Sequence, residues 1–196
     1  MKITRLRDWL IQYFSRSKVF KVLTEIRKKP YFIDTTREFP SGQAAQVNEK
    51  DVAFLLYILG MSYGHTQVSE ILKSRNFVSV GNPVIIERIT KVVKVPIAME
   101  WGDNTKLPMA NFIDYLHYIL SIPEKNDVDS IHKIIFMRSL NCIAVQYKDK
   151  SGISEERFWG SGPVTNLRES ILADNACVIT GDFLQSLKIF LSSSKK

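Results

Sequence analysis

HKIIFMRSLNCIAVQYKDKSGISEERFW, residues 132–159, contains three apolar or alternating runs, His132 to Met137, Cys142 to Tyr147 and Ile153 to Trp159. Short polar turns separate them, and the second turn ends in Ser151-Gly152. A period of two puts alternate side chains on one buried face, which is the mark of a strand, and short glycine-containing connections return the chain antiparallel. This stretch therefore predicts an antiparallel meander. Ala176 to Thr180 supplies a further strand. Val95, Ile97, Met99 and Trp101 alternate as another, ending at Gly102-Asp103-Asn104. The expected sheet has four to five strands, mainly from the C-terminal third.

Upstream of the meander the apolar spacing changes to the helical period. Asn48 with Asp51 three residues on, and Gly60 at the far end, frame a helix whose interior, Val52 to Leu59, is almost wholly apolar. Such a helix has to be buried on most sides. Thr66 can cap a short helix with Val68, Ile71 and Leu72, followed by an extended Phe77, Val78 and Val80. Asn82 and Pro83 suit the start of a helix through Ile85, Ile89, Val92 and Val93, although β-branched residues favour a strand there. Pro108 opens an amphipathic helix through Met109, Phe112, Leu116, Ile119 and Leu120. Leu167, Ile171 and Leu172 suggest a short helix, and Asp182 caps a last one through Phe183, Leu184, Leu187, Phe190 and Leu191. Five to seven helices covering one face of an antiparallel sheet make an α+β fold.

The charge is unevenly placed. Of 27 basic and 20 acidic residues, nine basic and two acidic fall within residues 1–29, which leaves eighteen of each in the remainder. Ile3, Leu6, Leu10, Tyr13 and Phe14 share one side of a helix. A second stripe, Val19, Val22, Leu23 and Ile26, projects to the far side of that same helix, so a break is expected at Ser15 to Ser17, with Ser17 capping a second helix. The chain thus divides into a basic amphipathic segment (1–29), a connector with Pro30, Pro40 and Gly42 (30–48) and a single α+β domain (49–196).

At 196 residues the chain can bury a core without a metal or disulfide staple. Cys142 and Cys177 fall inside apolar runs and read as small buried hydrophobes. No apolar stretch approaches 18 residues and no secretory leader opens the chain, so an intracellular, cytoplasmic protein is expected.

Clustered cations attract polyanions by releasing their counterions. Arg5, Arg7, Arg16, Lys18, Lys21, Arg27, Lys28 and Lys29 are the candidate nucleic-acid contacts, with Trp9, Tyr13, Phe14 and Phe20 interleaved as rings that can stack on unpaired bases. The expected function is that of a non-enzymatic accessory protein engaging nucleic acid. The same helices also suit an anionic membrane surface, a protein partner or an import presequence. The plainest account is that their apolar stripes pack on the body and only a charged face meets solvent.

Residues 51–80 run in the order buried helix, glycine turn, capped helix, extended segment, and so resemble a winged helix-turn-helix. The resemblance implies a DNA-facing second helix with Gln67, Ser69, Glu70, Lys73 and Arg75. Two packed core helices explain the same pattern, and the turn between Gly60 and Val68 is longer than in the common motif. Gln146 and Lys148 share one face of a strand, similar to the Gln-x-Lys variant of some restriction-type nucleases. Such an enzyme also needs metal-holding carboxylates, for which Glu100, Asp103 and Asp129 are the nearest acids in the chain. His65, His117 and His132 lack ligand spacing. Gly160-Ser161-Gly162-Pro163 lacks the Lys-Ser/Thr of a phosphate loop. No cofactor or metal is expected.

Overall fold

The computed structural model describes residues 1–27, 47–62, 71, 77–80, 97–101, 105–121, 130–138, 140–160 and 176–194. The described helices are α1 (Ile3–Leu10), α2 (Arg16–Arg27), α3 (Glu49–Met61), α4 (Phe112–Ser121) and α5 (Gly181–Ser193). The strands are β1 (Phe77–Val80), β2 (Ile97–Trp101), β3 (Thr105–Asn111), β4 (Ile131–Met137), β5 (Cys142–Asp149), β6 (Gly152–Gly160) and β7 (Cys177–Thr180). The fold is α+β, and five described helices lie within the expected five to seven.

The last third contributes four strands, where four to five were expected for the sheet. They pair antiparallel in the order β6-β5-β4-β7, with Val145 opposite both Ile134 and Glu156, and Ile134 opposite Ile179. Beyond β6 the sheet continues through β1, β3 and β2, giving seven strands in the order β2-β3-β1-β6-β5-β4-β7. The turn into β5 uses Asn141 at φ 48°, a left-handed conformation that asparagine tolerates. Lys150 and Ser151 close the β5–β6 hairpin ahead of Gly152, whose φ of 135° suits only glycine.

Helix α3 is capped as its sequence predicts. Asp51 N–H donates to Asn48 Oδ1 and Asn48 N–H donates back to Asp51 Oδ2, both at 2.9 Å. Two other starts differ from expectation. The last helix begins at Gly181, and the Thr180 hydroxyl, rather than Asp182, accepts from Phe183 N–H at 3.3 Å. Pro108 does not open α4. It lies in β3 opposite Ile97, and the helix starts at Phe112, where the Asn111 side chain accepts from Ile113 N–H at 2.8 Å. Asn111 supplies the polar cap that a helix start needs, and proline is tolerated in a strand where no ladder donor is required of it. The expected helices at 84–93 and near Leu167 lie outside the described residues.

One side of β4–β7 and all five helices share a single core. Ile134, Phe136, Ile143, Val145, Phe158 and Ile179 pack with the buried residues of the helices. Phe112 is its aromatic centre, edge-on to Phe136 at 5.7 Å and to Phe158 at 5.3 Å. Two polar ties fix the layers. Arg138 donates twice to the Gly60 carbonyl, at 2.9 and 2.6 Å, and the Tyr115 and Tyr147 hydroxyls bond at 2.6 Å. On the other face Glu155 accepts from Gln146 at 2.7 Å and from Arg157 at 2.6 Å.

Gly60 marks the closest approach of α3 to the sheet, since a Cβ there would meet the Phe136 ring at 2.5 Å. Gly60→Ala is therefore expected to destabilise the protein by about 1–3 kcal/mol through overpacking. A urea midpoint equal to that of the parent chain would contradict this contact.

Candidate nucleic-acid interface

The N-terminal helices are docked, and both apolar stripes point inward except for Tyr13, which lies past the end of α1 and is exposed. Ile3, Leu6 and Leu10 of α1 and Val19, Val22, Leu23 and Ile26 of α2 are all 4% exposed or less and belong to the common core. The break between them falls where the stripes change sides. Helix α2 starts at Arg16, and the Ser15 carbonyl accepts from Val19 N–H at 3.1 Å, so Ser17 lies inside the helix and does not cap it. The beginning of the chain is tied in as well: Val47 N–H donates to the Met1 carbonyl at 2.8 Å and the Met1 ammonium donates to the Val47 carbonyl at 3.2 Å.

Two of the interleaved rings are used in packing. Trp9 stacks on Phe190 of α5 at 5.3 Å and tilts against Phe183, also at 5.3 Å, while Phe14 meets Phe183 edge-on at 5.8 Å. The other two face outward. Tyr13 is 49% exposed and Phe20 is 39% exposed.

Cations lie against Phe20, Phe190 and Phe14. Arg7 from α1 and Arg16 from α2 place their guanidinium carbons 5.3 and 5.4 Å from the centre of the Phe20 ring. Arg5 lies over Phe190 at 5.4 Å. Arg5, Arg16 and Lys21 are exposed, whereas Arg7 is half-buried and pairs with Asp8 at 2.7 Å. Lys18 departs from the expected array. It is half-buried, its ammonium 6.0 Å from the Phe14 ring, and burial pushes its pKa below the usual lysine range, with Arg138 lowering it further and Cys177 opposing. Arg27 closes α2, and Lys28 and Lys29 lie outside the described residues.

Sequence reasoning missed the part played by α5. Phe183 and Phe190 are seven residues apart and so share a helix face, but nothing local ties that face to Trp9 some 170 positions earlier.

The other candidate sites fare differently. Gln67, Ser69, Glu70, Lys73 and Arg75 lie outside the described residues. Within 63–76 only Ile71 is described, buried, its carbonyl accepting from the Tyr57 hydroxyl at 3.4 Å. Gln146 and Lys148 are on β5 as expected, but Gln146 is engaged by Glu155 and Lys148 borders an open polar hollow with His132, Asp182 and Gln185. Glu100 sits on β2, four strands from β5 and so roughly 19 Å away across the sheet. Asp103 and Asp129 lie outside the described residues. Among the described residues no three His, Cys, Asp or Glu side chains could hold a metal ion together. Asp114 and His117 on α4 have opposite shifts of one main cause: burial raises the carboxyl and lowers the imidazole.

Both thiols are unpaired with one another, Cys142 buried and Cys177 half-buried against the core. Among the described residues no helix is long and apolar enough to cross a membrane. Compared with family models, curated proteins and solved structures, the chain matches none.

The inner and outer sides of these helices have different energetics. Leu6→Ala should cost about 2–5 kcal/mol, as for a fully buried leucine. Lys21→Ala, on the exposed side, should stay within about 0.5 kcal/mol. Equal effects in urea denaturation would mean that α1 is not docked as described. Burial also pushes the Cys142 thiol up to about 11 from 9.0, so the folded chain resists ionising where the unfolded chain does not. Stability from this residue is complete below pH 9 and falls as the pH rises toward 11. Cys142→Ala should therefore lose less stability than the parent chain between pH 8 and pH 10.5, and identical losses would refute the assignment.

Proposed function

We propose that the protein is a non-enzymatic accessory factor that binds nucleic acid through the outer side of α1 and α2. The observation that carries this is which side of each helix the core consumes. Seven apolar residues of the two stripes are buried in the protein's own interior, and the surface left over is cationic with two exposed rings. A polyanion is the ligand that such a surface suits, because each phosphate neutralised releases counterions.

The same observation weighs against a membrane surface. An interfacial helix binds lipid by burying its apolar face among acyl chains. Here those faces are already occupied. The unpaired thiols suit a reducing compartment such as the cytoplasm.

Deleting residues 1–29 is a poor test, since it removes seven core residues together with the charge. The clean variant is Arg5→Glu/Arg16→Glu/Lys21→Glu, all on the exposed side. The parent chain should bind a mixed-sequence DNA or RNA oligonucleotide with log affinity falling against log salt at a slope of about −3, corresponding to roughly four phosphates. The triple variant should lose at least about tenfold in affinity and flatten the slope while its thermal midpoint stays close to the parent's. Unchanged affinity in the variant, or binding of the parent chain to anionic vesicles but not to nucleic acid, would rule the proposal out.

A further inference from the structure

Resting on that reading, we infer that the nucleic acid recognised is single-stranded, with unpaired bases stacking at Phe20 and Tyr13 while Arg7 and Arg16 meet the backbone. The inference comes from the placement of an exposed ring, Phe20, among the cations. Phosphate attraction alone needs only charge, and a duplex exposes base edges in its grooves but keeps its base faces stacked inside. An exposed aromatic ring among the cations contributes only when bases are available to cover it.

Phe20 is the centre of this arrangement. It lies one turn into α2 and keeps 39% of its surface exposed although the core is adjacent, with Val19 beside it fully buried. The helix therefore directs this ring outward. Two guanidinium groups from different helices converge on it, at 5.3 and 5.4 Å. Guanidinium is planar and weakly hydrated, so it can lie against a base or a ring on its face and still donate to phosphate from its edge. Tyr13 is the second exposed ring of the segment. It stands in the turn after α1, half exposed, and is braced from within by Trp9 at 4.6 Å and by Phe183 edge-on at 4.9 Å. A ring held that way loses little freedom when a base stacks on it, which favours binding.

The exposed rings have a second explanation, in which the cation–ring contacts merely stabilise the folded chain. Substitution separates the two, because a stabilising contact does not distinguish one nucleic acid from another.

The test is fluorescence anisotropy with the full chain at one fixed salt concentration, using a labelled 15-nucleotide thymidine oligomer and a 15-base-pair mixed duplex. Single-stranded binding should be at least tenfold tighter. Phe20→Ala should weaken it by about tenfold, the equivalent of one stacked base, and Tyr13→Ala by a similar factor. Phe20→Tyr should retain it, and duplex binding should change less than twofold in every ring variant. Circular dichroism melts identify any ring variant that has unfolded, and Phe20→Tyr then carries the comparison. Equal affinity for both oligonucleotides, or ring variants that bind the thymidine oligomer as the parent does, would overturn the single-strand inference and leave the broader nucleic-acid reading standing. Absence of binding to either would overturn both.

Discussion

Helix α3 sets the condition that the rest of the structure satisfies. From Val52 to Met61 every residue except Phe54 is buried, so the helix has almost no side that tolerates water. Each buried apolar side chain of this size contributes on the order of 1.5–3 kcal/mol by leaving water, but only if another element covers it. One sheet face can cover roughly half of a helix. The remainder needs other helices, and α2 and α4 both pack on α3. Close approach on the sheet side depends on Gly60, and Arg138 then binds the Gly60 carbonyl that the helix end leaves without a helical partner.

The basic surface follows from that condition. A helix recruited to cover α3 offers its apolar stripe inward and has only its other side for solvent. Two helices are needed because the stripe before Ser15 and the stripe after it lie on opposite sides of a continuous helix, and the turn at residues 11–15 brings both toward the core. Charge segregation along the sequence becomes charge segregation in space by the same route. Arg5, Arg16 and Lys21 are outward because Leu6, Val19 and Val22 are inward.

Much of this was legible from local pattern. Alternation in residues 132–159 located β4, β5 and β6 to within two residues, and the reciprocal Asn48–Asp51 cap located α3, because both signals depend only on near neighbours. Pro108 misled because a proline suits a helix start and also a strand position that needs no ladder donor, and only pairing with β2 decides between them. The cation set was legible as a list but not as a site. That Lys18 lies near Arg138 and Cys177 depends on where the ends of β4 and β7 fall, and that Trp9 is stacked on Phe190 depends on where α5 docks, all more than 100 residues along the chain. Convergence of Arg7 and Arg16 on one ring likewise depends on the angle between two helices, which composition does not carry.

A docked basic surface differs from a basic tail in how affinity arises. A flexible segment must be ordered on binding, at about 1–2 kcal/mol for each residue fixed. In α1 and α2 that loss has already been offset by burying Ile3, Leu6, Leu10 and the α2 stripe, so contacts made by the outer side translate into affinity with less deducted. On the proposed reading the arrangement also couples binding to folding. Arg7 and Arg16 reach one ring from two helices, and they do so only while both helices are docked, so a ligand held by them binds the folded chain alone and raises its stability by mass action. Inner-side and outer-side residues of the same two helices thus act on different quantities. The first set the population of folded chain, and on the proposed reading the second set what that chain holds.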